Sequence, residues 1–349
     1  MIHVTDLFRP HNDPDDHWDL ACVYGLAWRN RVDLLGILID DPPPRQHNDP
    51  DVLAVAQMNY LTGKTVPVMI GAPRWIDPPD ATKPKNAAAL RGVRAMLKLL
   101  RDAPRPVVIS ILGSCRDVAM AGRFEPDLFA RKCAAIYLNA GCGAPAPEKA
   151  SKLEWNVSLD PRAYAAIFQL PCPVYWMPCF ETVGESARGA ERRDRYGTYY
   201  RFHQGDVLPA LSGGVQNYFA YMFLHGRGAA TNRPADALRP NWLRYLVGPP
   251  DMTLQTRIRG MDRNMWCTAG FLHAAGETVT GAGKIVPLDK TANGVFTFDP
   301  IQVRCAASGV TEWHSGSSSP ARFIFHVRDT RRYADAMTAA LKQLLMPLP

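Results

Sequence analysis

Three pieces of the first 41 residues decide how this chain is read: Ile2-His3-Val4-Thr5-Asp6, then His11-Asn12-Asp13-Pro14-Asp15-Asp16, then the run Val32 to Asp41. The apolar start predicts a strand that delivers Asp6 into a loop, and a helix then opens on the paired carboxylates Asp15 and Asp16. Asp6, Asp13, Asp15 and Asp16 therefore crowd one strand-to-helix crossing. Aspartate is an ordinary turn and N-cap residue, and one at a helix start gains about 0.3–1 kcal/mol from the helix dipole. Four of them repel one another and raise each other's pKa unless a cation, hydrogen bonds or solvent compensates. Ligands of open α/β sheets bind at the carboxyl ends of strands, where this cluster is expected to lie.

Outward from that stretch the pattern repeats. Trp18, Ala21, Cys22 and Gly25 recur at helical spacing and predict a helix over 16–29 with one buried face. Residues 32–39 read as a strand buried on both faces, ending on Asp40-Asp41. Helices are predicted over 51–61, 86–100, 124–132 and 162–169, and strands over 66–70, 107–112, 134–138 and 174–177. Strands separated by such helices argue an α/β fold with a mainly parallel, doubly wound sheet. Short strands over 294–327 and a helix over 333–345 close the pattern. The chain reads as one domain over 1–349, with 182–235 a variable helical and loop insertion rich in Arg, Tyr, Gly and His. Glu154 and Asn156 lie two apart, which on an extended segment aims both side chains the same way. The run Gly141-x-Gly143-x-x-Ala146 mimics a dinucleotide fingerprint, but Pro145 and Pro147 stand where its helix would begin.

With 349 residues, 47% of them hydrophobic, the chain can bury a large core, which excludes disorder as its dominant state. No apolar run is long enough for a membrane span, and Asp6 interrupts the region a signal peptide would need, so a soluble cytoplasmic protein is expected. The eight cysteines sit singly without a C-x-x-C pair, as buried reduced thiols do. A net charge of +7 admits polyanion binding, but the arginines are scattered, and a solvated surface is preferred to a nucleic-acid interface. Self-association into a homo-oligomer is left open.

Several segments, in order, resemble the nucleoside hydrolase (inosine-uridine-preferring) family. They are Thr5-Asp6 through Asp13-Pro14-Asp15-Asp16, Val66-Pro67-Val68 to Gly71-Ala72, Leu112-Gly113-Ser114-Cys115-Arg116-Asp117-Val118-Ala119, and Asn139-Ala140-Gly141. The most specific is Glu154-Trp155-Asn156-Val157-Ser158-Leu159-Asp160-Pro161, similar to the family's Glu-Phe-Asn-x-x-x-Asp-Pro, and the likeness extends over nearly the whole chain. It implies a calcium-dependent hydrolase of N-glycosidic bonds in purine or pyrimidine nucleosides or related glycosides, acting by water attack on the anomeric carbon. By this resemblance Asp6, Asp15, Asp16 and the Arg116 carbonyl would ligate the metal, Asp6 or Asp13 would be the base, and Asp15, Asp41, Asn139, Glu154 and Asn156 would hold the sugar. The family's late His-Asp pair falls on Trp266-Cys267, so the metal loses a carboxylate unless Asp262 or His273 substitutes. Leaving-group help would then come from another acid, with His11, His17 and His273 the candidates, or from stacking on Trp18, Tyr199 or Trp266. The alternative reading is a sugar- or nucleoside-binding protein of the same fold that has lost turnover.

Overall fold

The computed structural model describes residues 1–9, 14–41, 49–77, 88–145, 153–182, 192–224, 242–291 and 293–349. Fifteen strands are described: β1 (Ile2–Thr5), β2 (Phe8–Arg9), β3 (Gly36–Ile39), β4 (Asp49–Pro50), β5 (Val68–Ile70), β6 (Val107–Ile111), β7 (Cys133–Asn139), β8 (Val174–Met177), β9 (Tyr200–His203), β10 (Asp262–Met265), β11 (Glu277–Val279), β12 (Ile285–Pro287), β13 (Phe296–Cys305), β14 (Thr311–Ser315) and β15 (Arg322–Val327). The described helices are α1 (Asp15–Trp28), α2 (Val52–Thr62), α3 (Arg91–Asp102), α4 (Arg116–Phe124), α5 (Pro126–Lys132), α6 (Trp155–Leu159), α7 (Pro161–Ile167), α8 (Gly213–Leu224), α9 (Trp242–Val247), α10 (Met252–Arg259), α11 (Thr268–Ala274) and α12 (Tyr333–Leu345), besides three short 3₁₀ turns.

The central sheet has nine strands in the order β14-β13-β15-β8-β7-β6-β1-β3-β5. Every pairing from β15 to β5 is parallel, and β13 and β14 add an antiparallel edge. Strand β1 lies between β3 and β6, so the chain leaves it toward one side of the sheet and later returns on the other. Ligands of doubly wound sheets bind at such a switch point. Ile2 and Val4 of β1 face a core with Val93, Met96, Val118 and Tyr164, while His3 packs edge-on against Phe271 on the opposite face. Both faces are covered although the sequence alternates: His3 and Thr5 are as buried as Ile2 and Val4.

Four expectations change in detail. Helix α1 is buried from His17 to Ala27, all round and not on one face, because α2, α11, α12 and β10 all pack against it. Trp18 stacks on Phe219 at a centroid distance of 3.8 Å, a contact worth about 0.5–1.5 kcal/mol beyond its area. The strand expected over 32–39 begins only at Gly36: the Asp33 carbonyl instead accepts the Met1 ammonium at 2.6 Å, and its carboxylate pairs with Arg105. In the tail, β13 is one ten-residue strand long enough to pair with both β14 and β15. Glu154 is extended, but Asn156 already lies in α6, so their shared direction has a different origin from the spacing of a strand.

Candidate active site

The strand ends of β1, β3 and β6 are locked together. Asp40 N donates to Thr5 O at 2.9 Å, Leu112 N to Val4 O at 2.9 Å, and Gly71 N to Ile39 O at 2.8 Å. Asp6 and Asp40 therefore leave adjacent parallel strands side by side, with Gly113 between them. A Cβ at Gly113 would collide with the Asp40 carboxylate and sit 3.0 Å from the Asp6 Cβ, so only glycine allows this approach.

Asp16, in the first turn of α1, reaches back to this point. Its Oδ1 accepts the Thr5 hydroxyl at 2.5 Å, and its carboxyl shares a hydrogen bond with Asp6. Two carboxyls in hydrogen-bond contact hold a proton between them. Burial pushes the Asp6 carboxyl up to about 7; its contacts with Asp16 and the Trp155 indole N–H oppose the rise, and the charges of Asp40 and Asp15 add to it. Asp16 is raised well above the carboxylate range by burial, then by the charge of Asp6. Asp40, 2% exposed, accepts Ser114 N on Oδ2 and has no partner on Oδ1; burial and then the charge of Asp117 raise it too. Asp117 accepts Ala72 N at 2.9 Å, leaves Oδ2 unpartnered and is pushed by burial up to about 6.

Glu154 and Asn156 are turned inward by capping. The Glu154 carboxylate caps α6 by accepting Asn156 N and Val157 N, and also takes Gly141 N at 2.8 Å. Asn156 donates to Leu112 O at 2.7 Å and to Asn139 O at 3.0 Å, bridging the ends of β6 and β7. The Asn139 amide donates to Met177 O and Thr198 Oγ1, and its oxygen accepts the thiols of Cys267 at 3.3 Å and Cys179 at 3.5 Å. Cys267 also contacts the buried carboxyl of Asp19. Arg116 acts through its guanidinium, which donates to Ala72 O at 2.7 Å and pairs with Asp160 at 3.3 Å.

Of the residues expected at the site, the fold thus gathers Asp6 and Asp16, with Asp15 near enough for its charge to act on Asp6. Glu154, Asn156 and Asn139 form the hydrogen-bonded wall between β6 and β7. Asp41 is half-buried and within the field of Arg116. His11 and Asp13 lie outside the described residues. The His17 Nε2 lies 3.0 Å from the Asp51 carboxylate at the start of α2. Neither suggested substitute stands in for the late pair: Asp262 pairs with Arg201 and His203, and His273 hydrogen-bonds Tyr137 at 2.7 Å. Trp266 lies among Phe180 and Tyr199. Sequence reasoning missed Asp40, Asp117, Trp155 and Cys179; Asp40 was signalled by Asp40-Asp41 at a strand end, where register decides which of the two stays inside the sheet.

At residue 267 the described donors depart from a calcium shell. Calcium takes six to eight hard oxygens, whereas residue 267 supplies a soft thiol already engaged with Asn139 and Asp19. Among the described residues no three His, Cys, Asp or Glu side chains stand together to hold a metal ion.

No protein-family model and no curated protein sequence matches the chain. Solved structures do. The effector protein XOO4466 superposes with a TM-score of 0.56 at 17% identity, over 99% of this chain and 93% of that one. The plant nucleoside hydrolase PpNRh1 gives 0.53 at 12% identity, over 98% of each. The type III effector XopQ, solved in complex with adenosine diphosphate ribose, gives 0.50 at 16%, over 99% and 93%. At these identities the shared property is the fold, and the described helices include none long and apolar enough to cross a membrane. The chain therefore has the fold of the nucleoside hydrolases, in a divergent form.

Proposed function

We propose that the chain binds a ribosyl compound at the carboxyl ends of β1, β3 and β6 and hydrolyses its N-glycosidic bond. The observation that carries this reading is the hydrogen-bonded pair of Asp6 and Asp16 at the switch between β3 and β6, with the charge of Asp40 acting on Asp6 from the adjacent strand end. Three carboxyls at a strand switch are costly to stability, and groups so perturbed by burial and neighbouring charge are candidates for a functional site. In the reaction, Asp6 takes the proton of a water attacking the anomeric carbon, while Asp16, hydrogen-bonded to it, keeps its carboxylate oriented. The single negative charge shared by the Asp6-Asp16 pair favours the oxocarbenium-like transition state, which gains positive charge as the base departs. The Glu154-Asn156 wall fixes the backbone at Leu112 and Asn139 and so sets the width of the site. No step is assigned to a cation, because the described donors fall short of a calcium shell.

A second reading, ligand binding without turnover, is favoured by the saturation of Asn139, Asn156 and Glu154 with protein hydrogen bonds, and XopQ with its adenosine diphosphate ribose is a fold relative solved in a bound state. Release of free base from a panel of nucleosides, with and without added calcium, decides between the two. Hydrolysis that Asp6→Asn abolishes supports the enzyme. Calorimetric binding of nucleosides or adenosine diphosphate ribose, with no base released under either condition, supports the binder.

A further inference from the structure

Arg322 opens β15 and is only 5% exposed, yet its guanidinium meets neutral partners. It donates to the carbonyls of Phe168, Leu170, Cys172, Pro320 and Ala321, and among the described residues no carboxylate pairs with it. A guanidinium keeps its proton in a protein, so this charge cannot be relieved by titrating itself. A buried charge without a counter-ion is costly. The acidic group whose charge reaches it is the thiol of Cys172, whose own carbonyl accepts from the guanidinium at 2.8 Å.

That thiol has a second cysteine against it. Cys133 opens β7 and Cys172 stands two residues before β8. Ile136 pairs with Val174, and its N–H bonds the Pro173 carbonyl at 2.9 Å, so the two cysteines enter the sheet side by side. The Cys133 thiol donates to the Cys172 sulfur. This hydrogen bond, and then the charge of Arg322, hold the Cys172 thiol below its ordinary range against the effect of burial, and the same contact raises Cys133. Burial instead raises Cys22, Cys115, Cys179 and Cys267. A thiolate beside a thiol is the starting state of disulfide formation. Both cysteines are buried, but Ala134 and Pro171 next to them are exposed, so the pair lies just beneath the surface, at the end of the sheet opposite the candidate active site.

We propose that Cys172 and Cys133 form a redox pair that a hydroperoxide converts to a disulfide, with Arg322 supplying the charge that prepares Cys172. The Cys172 sulfur attacks one peroxide oxygen, the O–O bond breaks, and Cys172 becomes a sulfenic acid. The departing oxygen takes the Cys133 proton and leaves as water. The Cys133 sulfur then attacks the Cys172 sulfur, expelling its hydroxyl, which leaves as a second water with a proton from solvent. Two thiols lose two electrons, and one hydrogen peroxide becomes two waters. Neighbouring strands run about 4.8 Å apart, inside the range of about 4.4–6.8 Å between Cα atoms that a disulfide spans, so the bond closes without moving the sheet. The segment it encloses carries Asn139, Glu154 and Asn156. Oxidation therefore fastens that wall of the site from the far ends of β7 and β8, whether the chain hydrolyses its ligand or only binds it.

The test treats the full chain, reduced and freed of reductant, with one equivalent of hydrogen peroxide, then alkylates it and maps its peptides by mass spectrometry without reduction. One cross-link, Cys133 to Cys172, is expected. The oxidised protein should melt about 5 °C higher, since a bond across that segment restricts the unfolded chain. In Cys133→Ser, dimedone should trap a sulfenic acid at Cys172, while in Cys172→Ser the Cys133 thiol should stay unlabelled. Arg322→Gln should slow cross-linking about tenfold by lowering the thiolate fraction; mapping of the unmutated protein decides the pairing even where that variant does not fold. Absence of the cross-link, a faster reaction at the half-buried Cys142 or Cys305, a sulfenic acid at Cys133 in Cys172→Ser, or an unchanged rate in Arg322→Gln would overturn the proposal.

Discussion

At residue 267 a thiol stands where the family resemblance leads one to expect a metal-binding carboxylate, and its neighbours have adapted to it. Cys267 donates to Asn139 and contacts Asp19, so a second carboxylate there would meet a buried acid without a counter-charge. Cys267→Asp is therefore expected to lower stability without metal by about 3 kcal/mol, the order of leaving a buried charge unpaired. Millimolar calcium should raise the melting temperature of that variant more than that of the unmutated protein; identical calcium responses would show that residue 267 does not face a cation position. Asp16 presents the converse case. Its carboxyl is crowded by Asp6, so Asp16→Asn removes repulsion and should stabilise the fold by about 1 kcal/mol, while Asp16→Ala, which leaves nothing to hydrogen-bond Asp6, should cut base release at least about 10²-fold through loss of the partner that orients the base. Thermal melts and a base-release assay on the two variants check both halves. Position 267 was legible as a departure from the family pattern, but the thiol's partners were not, because Asn139 and Asp19 are remote in sequence and meet it only through packing.

Among the elements, α6 has only five residues, and its start is defined by Glu154. Such a helix cannot persist on its own, so the carboxylate that accepts Gly141, Asn156 and Val157 N–H groups fixes both the helix and the exit of β7. Glu154→Ala removes an N-cap and strands buried donors, and should cost about 2–3 kcal/mol. Glu154→Gln, which keeps one acceptor, should cost less than half of that in urea unfolding; equal losses would assign the role to charge and not to capping. The alternation of strands and helices was legible in the sequence because parallel strands buried on both faces leave continuous apolar runs, as in β6 and β8, while α3 and α12 carry clear periodicity. The wrap of α1 was not, since a helix buried on every side has no stripe to read. The Glu154-Asn156 pair gave the right residues from an extended geometry that the chain adopts only at Glu154.

Across the whole molecule, β1 gathers its partners from residues 36 to 111, so the convergence of Asp6 with Asp16 could be anticipated from local order, but that with Asp40 depended on strand register. The same central strand carries a buried titratable group. His3 is fully enclosed, 3.0 Å from the Ser110 hydroxyl, and burial lowers its pKa to about 3. Its folded pKa lies below the unfolded value near 6.5, so the unfolded chain binds the extra proton between those limits. The neutral imidazole's contribution is fully present above about pH 6.5 and is lost as pH falls toward 3. Buried carboxylates such as Asp117 act in the opposite sense, so the expected signature is a difference. The stability of the unmutated protein minus that of His3→Gln should be flat above pH 6.5 and fall below it by up to about 1.4 kcal/mol per pH unit. A difference that stays constant from pH 7 to pH 4.5 would mean that His3 titrates normally.

The packing of α12 on α1 also sets an order of events during synthesis. The Leu344 carbonyl lies 2.9 Å from where a Cβ of Gly25 would be, so the two helices touch backbone to backbone. Helix α1 is complete at Trp28, whereas α12 begins only at Tyr333. At ordinary elongation rates roughly 15–60 s separate them on the ribosome. Throughout that interval the side of α1 that α12 will cover stays open, so the closing of the core around α1 waits for the last helix to be made.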